Sequence, residues 1–398
     1  MDPITSARGA IIACLATVLL ALGISGCPRP SASTPDGPLP EQTGAPQATA
    51  TDLTLQYARN FTVESRDGFR VVKIIEPWRG AGTGFEYALV PADAPAPEGF
   101  KPEQIVRVPL ETVVAMSTTQ LPMLKALGCL DRLVAVADGK TPCTEEVVAA
   151  IKSGEVAVVG EGQSVNLEKL VELSPSAILD SALGDPQYDT YPKLLEGGLR
   201  VVIDGSYMEG TPLGRAEWIK LLGLLLGREA EAEAVFSSIA DEYNALAQRV
   251  KATGDRPTVL AGMQFRGTWY VPGGASYMAG LFADAGAEYL WADDDTAASI
   301  PLDFEAVLAK AQDAQFWLNP ETCTTMQQIA AADRRHKLFR AYREGNVYNH
   351  SKRMNQTGGD DYWETGIANP HRILADLVAI FHPELLPDHE LIWYEMLP

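Results

Sequence analysis

Gly214-Arg215-Ala216-Glu217-Trp218-Ile219-Lys220-Leu221-Leu222-Gly223-Leu224-Leu225-Leu226-Gly227-Arg228-Glu229 opens a passage that runs to Ala252, near the middle of the chain. Its apolar residues fall at Trp218, Leu221, Leu222 and Leu225, then at Val235, Phe236, Ile239, Tyr243, Leu246 and Val250. Steps of three and four are the period of an amphipathic helix. Pro212 precedes the passage, and the Gly254-Asp255-Arg256-Pro257 turn closes it. Gly227 either ends a shorter first helix or kinks a continuous one. From Arg228 to Ala252 the helix spans about 37 Å at 1.5 Å per residue. It stands between two stretches of similar size, each of alternating strands and helices. A helix in that place is a spacer between two lobes, and two lobes make a cleft.

Upstream, Phe61-Thr62-Val63, the run Phe69 to Ile75 and the run Phe85 to Val90 are strand-like, and Gly80-Ala81-Gly82-Thr83-Gly84 links the last two. A phosphate-cradling loop needs a helix next, whereas here a strand follows, so the glycines read as a hairpin turn. Strands are expected at Thr112–Met116, Leu133–Val136, Val156–Val159, Ala177–Leu179 and Arg200–Ile203, with helices at Leu121–Leu127 and Leu167–Leu173. Such alternation implies a mostly parallel sheet under covering helices. The pattern recurs after the spacer, with strands at Thr258–Ala261 and Ala314–Leu318 and helices at Tyr277–Ala285 and Phe304–Lys310. Asn369-Pro370 then opens a last helix to Phe381, with Asn as cap and Pro at the first helical position.

One echo links the halves. Asn166-Leu167-Glu168 and Asp303-Phe304-Glu305 each begin a short helix followed by a buried strand. Glu168 and Glu305 hold the same place in the first turn of equivalent helices, and the lobes read as variants of one design.

The 398 residues are 46% hydrophobic and 21% charged, as suits a globular protein of two domains. A formal net charge of −20 argues against nucleic acid and against a basic membrane-binding face. Arg8 precedes an apolar run from Ile11 to Ile24, too short for a span of about 20 residues, which reads as a secretory signal. Ile24-Ser25-Gly26-Cys27 is similar to a bacterial lipobox, with Cys27 as the acylated residue. Pro28 to Ala50, rich in Pro, Ser, Thr, Gly and Ala, reads as a disordered tether. The expected organisation is therefore signal (1–26), tether (27–50), first α/β lobe with a strand-rich preamble (51–212), interlobe helix (213–252) and second α/β lobe (253–398). Export leaves Cys129, Cys143 and Cys323; Cys129 and Cys143 are the disulfide candidates by proximity, and their spacing matches no zinc pattern.

From Arg107 to Val136, through the Asn166 to Leu179 block and the Leu221 to Ala234 start of the joining helix, the chain resembles a known family. These are the substrate-binding lipoproteins of ABC importers for iron complexes and cobalamin, the class with two α/β lobes joined by a single long helix. The resemblance covers roughly Val106 to Leu385; the strand-rich preamble and the Gly359-Asp360-Asp361-Tyr362-Trp363-Glu364 loop depart from it. It implies a monomer without cofactor, lipid-anchored on the extracytoplasmic side of a membrane. The partners it implies are a permease and ATPase complex, which Glu168 and Glu305 would dock by pairing with permease arginines. The ligand it implies is a ferric siderophore, with cobalamin or haem as alternatives.

Ligands of open α/β sheets bind beyond the carboxyl ends of the strands. Those loops supply Thr118, Gln120 and Gln163 in the first lobe. In the second they supply Phe265, Arg266, Trp269, Tyr270, Trp291, Arg353, Asn355 and Trp363. The aromatics give flat apolar area for a macrocycle or chelate, and Arg266 and Arg353 suit carboxylate or catecholate oxygens. All five histidines (His336, His350, His371, His382, His389) lie in the second lobe, which speaks against a bare zinc site between lobes. His350 or a tyrosine leaves haem iron open. No Gly-x-Ser-x-Gly, His-Glu-x-x-His or Gly-Lys-Ser/Thr motif is present, so reversible binding is expected rather than catalysis.

Overall fold

The computed structural model describes residues 53–161 and 164–398. The signal, Cys27, the tether and Gln163 lie outside the described residues.

The preamble is a sheet of its own. Strands β1 (Phe61–Arg66), β2 (Phe69–Ile74) and β3 (Phe85–Pro91) form an antiparallel meander, and β4 (Ile105–Val108) runs parallel to β3. The Gly80 to Gly84 stretch lies in the connection between β2 and β3, which pair as Ile74↔Phe85 onward. Buried Val72, Ile74, Tyr87 and Leu89 join the same hydrophobic core as Leu213 and Trp218 in the middle of the chain.

The first lobe contains β5 (Val113–Ala115), β6 (Leu133–Val136), β7 (Ala157–Val158), a small hairpin of β8 (Gly160–Glu161) and β9 (Ser164–Val165), β10 (Ala177–Asp180) and β11 (Val201–Ile203). Its helices are α1 (Gln120–Ala126), α2 (Glu145–Ser153), α3 (Leu167–Leu173) and α4 (Tyr191–Glu196). The sheet order is β11-β10-β5-β6-β7, all parallel. Every residue of β5 and β10 is buried, as expected where both faces of a parallel sheet are covered. The chain builds outward in opposite directions from β5, so the loops leaving β5 and β10 part beside each other and leave a crevice.

The expected spacer divides in three: α5 (Pro212–Ala216), α6 (Ile219–Leu226) and α7 (Glu229–Lys251). Gly227, left-handed at φ 63°, ends α6. Gly223 brings α6 tightly onto α7, since a Cβ there would sit 2.6 Å from that of Ala232. The long joining helix is α7, whose 23 residues span about 34 Å. It buries Phe236, Ile239, Tyr243, Leu246 and Val250, the stripe its sequence period prescribes.

The second lobe follows with β12 (Thr258–Ala261), β13 (Met263–Phe265), β14 (Thr268–Pro272), β15 (Glu288–Tyr289), β16 (Ser299–Leu302), β17 (Phe316–Leu318), β18 (Val347–Asn349) and β19 (Glu395–Met396). Its helices are α8 (Tyr277–Asp284), α9 (Phe304–Ala311), α10 (Met326–Ala332), α11 (Arg340–Glu344) and α12 (Pro370–Phe381). The main sheet, β15-β12-β17-β18-β19, is parallel except for β19, and it reverses direction at β12 as the first sheet does at β5. A separate antiparallel sheet, β13-β14-β16, has no counterpart in the first lobe. Asn369 precedes α12 without capping it; its side chain donates backwards to the Thr365 carbonyl.

Candidate functional site

Two hollows lie at the carboxyl ends of the strands. The first, of about 270 Å³, opens beyond β5 and β6 and is lined by Ser117, Thr118, Leu121, Asp138, Thr141 and Pro142. The second, of about 300 Å³, draws Tyr207 and Glu209 from the first lobe, Arg215 from α5, Tyr277 and Ala297 from the second lobe, and Arg79 from the preamble. It is a site between lobes.

Arg215 is the cation of that second hollow. Thr211 caps α5 by accepting from the Gly214 amide at 3.1 Å, which fixes where the helix begins. Arg215 Nε donates to the Glu209 carbonyl at 3.1 Å and Nη2 to the Tyr207 carbonyl at 2.9 Å. Its Cζ stands 4.3 Å from the centre of the Tyr277 ring. Burial draws the guanidinium pKa down from its ordinary value, the expected penalty for desolvating a charge. The nearby Glu209 carboxylate is committed elsewhere, accepting from the Arg59 and Asn60 amides at 2.9 Å and from Trp218 Nε1 at 3.0 Å. Tyr277 is buried, and its hydroxyl has no hydrogen-bond partner among the described residues.

The expected ligand residues divide. Thr118 lines the first hollow. Gln120 lies fully buried beneath that loop, accepting from the Ser117 amide at 3.4 Å and donating to Asp204 at 3.3 Å. Phe265 and Tyr270 are exposed on the outer face of the β13-β14-β16 sheet, with Arg266 at the hairpin tip, φ 50°, over the Phe265 ring. Trp269 corrects the cleft expectation. It is 0% exposed, donates to the Ala261 carbonyl at 3.2 Å and packs against Trp317 and Phe339. Successive strand residues point to opposite faces, so Trp269 and Tyr270 cannot share a surface. Trp291 is likewise buried against Tyr289, with Lys310 over its ring. Arg353 is tied to the buried Asp361 carboxylate at 2.6 Å, which Trp393 also meets. Trp363 is half-exposed and meets the His350 ring edge-on.

Asn355 is committed to structure. Its amide donates to the Lys140 and Pro142 carbonyls of the first lobe at 2.9 and 3.0 Å, and its oxygen accepts from the Gly359 amide at 2.7 Å. Glu364 continues this clasp: its carboxylate accepts from the Cys143 amide at 2.7 Å, the Thr144 amide at 2.6 Å and the Thr144 hydroxyl at 2.5 Å. It thereby caps α2, whose own cap residue Thr144 makes no side-chain cap. Burial raises the Glu364 pKa. Gly359 approaches so closely that a Cβ would sit 2.1 Å from the Thr141 carbonyl oxygen. The loop carrying Asn355 and Glu364 is an interlobe clasp.

Cys129, Cys143 and Cys323 are all free, so the expected Cys129–Cys143 pairing is absent. Burial and the neighbouring Glu364 push the Cys143 thiol up to about 12. Among the described residues no group of three or more His, Cys, Asp or Glu side chains is arranged to hold a metal ion. His350 Nδ1 lies 2.9 Å from Asp360, and its ring stacks on Tyr362.

The echoed helices match in detail. Asn166 caps α3 through the Lys169 amide at 3.0 Å, and Asp303 caps α9 through the Ala306 amide at 2.7 Å. Glu168 and Glu305 are each the second helical residue and exposed; Glu305 pairs with Arg335 at 2.8 Å.

Sequence reasoning passed over Arg79, Arg215 and Tyr277. One signal was available: Arg215 reads as a cation at the start of a helical passage, where the helix dipole disfavours it.

Two α/β lobes joined by one long helix, with one hollow at the strand ends of the first lobe and another between the lobes, are the architecture of a protein that closes on a ligand. The chain belongs to the periplasmic binding protein family, whose sequence model matches residues 113–353. It is 26% identical over 356 residues to an uncharacterized lipoprotein of Methanocaldococcus jannaschii, covering 83% of this chain and 82% of the relative. Among solved structures it is similar to a periplasmic binding protein from Veillonella parvula, with a TM-score of 0.56, 16% identity, and coverage of 81% of this chain and 98% of the other. It is also similar to an ABC-type Fe3+-hydroxamate transport system protein from Saccharomonospora viridis, with a TM-score of 0.55, 18% identity, and coverage of 78% and 98%.

Proposed function

We propose that this protein is an extracytoplasmic, lipid-anchored substrate-binding protein of an ABC importer. It captures an iron complex of the ferric-siderophore type between its lobes and hands it to a permease. The observation that carries this reading is the second hollow, built jointly by the two lobes and α5 around Arg215. Supporting it are the lipoprotein name of the Methanocaldococcus relative and the Fe3+-hydroxamate transport named for the Saccharomonospora protein. Cys27 carries the lipid. Glu168 and Glu305, exposed at matching helix starts, dock the permease. The chemistry is reversible binding with limited closure, because a helix joins the lobes.

Native mass spectrometry of the protein from its own envelope should find a bound iron complex. Charge reversal at both Glu168 and Glu305 should abolish uptake while ligand affinity stays unchanged. Loss of ligand binding by the isolated double variant would remove the docking assignment.

A further inference from the structure

We propose that the hollow around Arg215 recognises a free carboxylate on the ligand, so that the protein selects carboxylate-bearing iron complexes over neutral ones. This rests on the reading of the cleft as an iron-complex site.

A guanidinium carries five N–H donors in a rigid plane. Arg215 spends Nε and one N–H of Nη2 on the carbonyls of Glu209 and Tyr207. That uses one side of the plane and leaves the Nη1/Nη2 end as an open pair of donors, the geometry that grips a carboxylate with two parallel bonds. No carboxylate of the protein pairs with it: Glu209, which lines the same hollow, accepts instead from two backbone amides and Trp218. A desolvated cation without a directly paired carboxylate gains from the arrival of an anion.

Two further observations point the same way. Arg79 lines the same hollow and makes no ion pair among the described residues, so the site holds two cations against the single carboxylate of Glu209. Tyr277 also lines it, and the centre of its ring lies 4.3 Å from the guanidinium carbon, which holds the cation in place. A carboxylate brings two oxygens with about four acceptor positions, which matches an open fork and a second cation. In a chain of formal charge −20, such a local cation pair is what lets an anion approach.

The test is a titration of the lipid-free protein, followed by tryptophan quenching, with four probes. Ferric citrate and haemin carry free carboxylates; ferrichrome and cyanocobalamin carry none. The unaltered protein should bind the first pair more tightly. Arg215→Gln should weaken binding of the first pair by at least about tenfold, the worth of one charge-assisted contact. Arg215→Lys should restore part of it.

Because Arg215 also holds two carbonyls of the fold, Arg79→Gln is the independent variant. It removes an exposed cation that makes no ion pair among the described residues, so its melting temperature should hold while affinity for the first pair falls. Unchanged affinity of both variants for the carboxylate probes would overturn the inference. So would tighter binding of ferrichrome or cyanocobalamin by the unaltered protein, an outcome that leaves the cleft reading intact. Failure of all four probes to bind would overturn the inference and the iron-complex reading together.

Discussion

Glu364→Ala is the sharpest test of the interlobe clasp. The carboxylate is 1% exposed and receives two amides and a hydroxyl from a loop more than 200 residues away in sequence, Thr144 being 220 positions distant. Each hydrogen bond to a charged acceptor contributes about 1.5–3 kcal/mol, and a buried amide left without a partner forfeits a similar amount. The three bonds do not add in full, because ionised Glu364 is itself desolvated, as its raised pKa records. A net loss of about 4 kcal/mol is expected. With an unfolding entropy of about 2.1 cal/mol/K per residue over this fold, that lowers the melting temperature by roughly 5 °C. Differential scanning calorimetry reads the shift, and hydrogen exchange reads its location: the Cys143 and Thr144 amides should exchange faster while those of β10 stay protected. An unchanged melting temperature with unchanged protection at Cys143 and Thr144 would refute the clasp.

Trp269→Ala should destabilise the protein by about 3–5 kcal/mol, the usual effect of emptying an aromatic site in a core, as read by urea unfolding. Ligand affinity of the molecules that remain folded should not change; a selective loss of affinity would return Trp269 to the cleft. Asp180, at the end of β10, has its carboxyl raised to about 6 by burial, with Asp189 adding to the shift and the Thr190 hydroxyl opposing it. The folded state therefore holds this proton more tightly than the unfolded one. The stability this gives, on the order of 3 kcal/mol, is complete below the unfolded carboxyl range and lost as pH rises through about 6. Asp180→Asn should flatten the stability profile between pH 4 and 6, in a comparison of melting temperatures across buffers; a slope equal to that of the unaltered chain would show that other groups set it.

What a single sequence reveals here is what depends on neighbours along the chain. The capped helices α3 and α9 stand where Asn166 and Asp303 mark them, because a cap is a contact over three residues. Gly227 ends α6 for a reason equally local. Trp269 departs from the cleft expectation by a local rule that was available: alternation in β14 sends Trp269 inward and Tyr270 outward. Arg215, by contrast, gains its meaning from Tyr277 and Arg79, and Glu364 from Thr144. Nothing in either residue's own surroundings in the sequence announces those partners.

The entry of the chain into the folded body carries a mechanical consequence. Glu217, wholly buried between α5 and α6, accepts the amides of Gln56, Tyr57 and Ala58, and Lys220 binds the Thr54 carbonyl as well as Glu217 and Glu233 of α7. Any pull arriving from the N-terminal side of Thr54 is therefore borne by the helical spine and by neither lobe's mouth. Under the proposed attachment at Cys27, the leash would end at the joint between the lobes and leave the hollow around Arg215 unloaded.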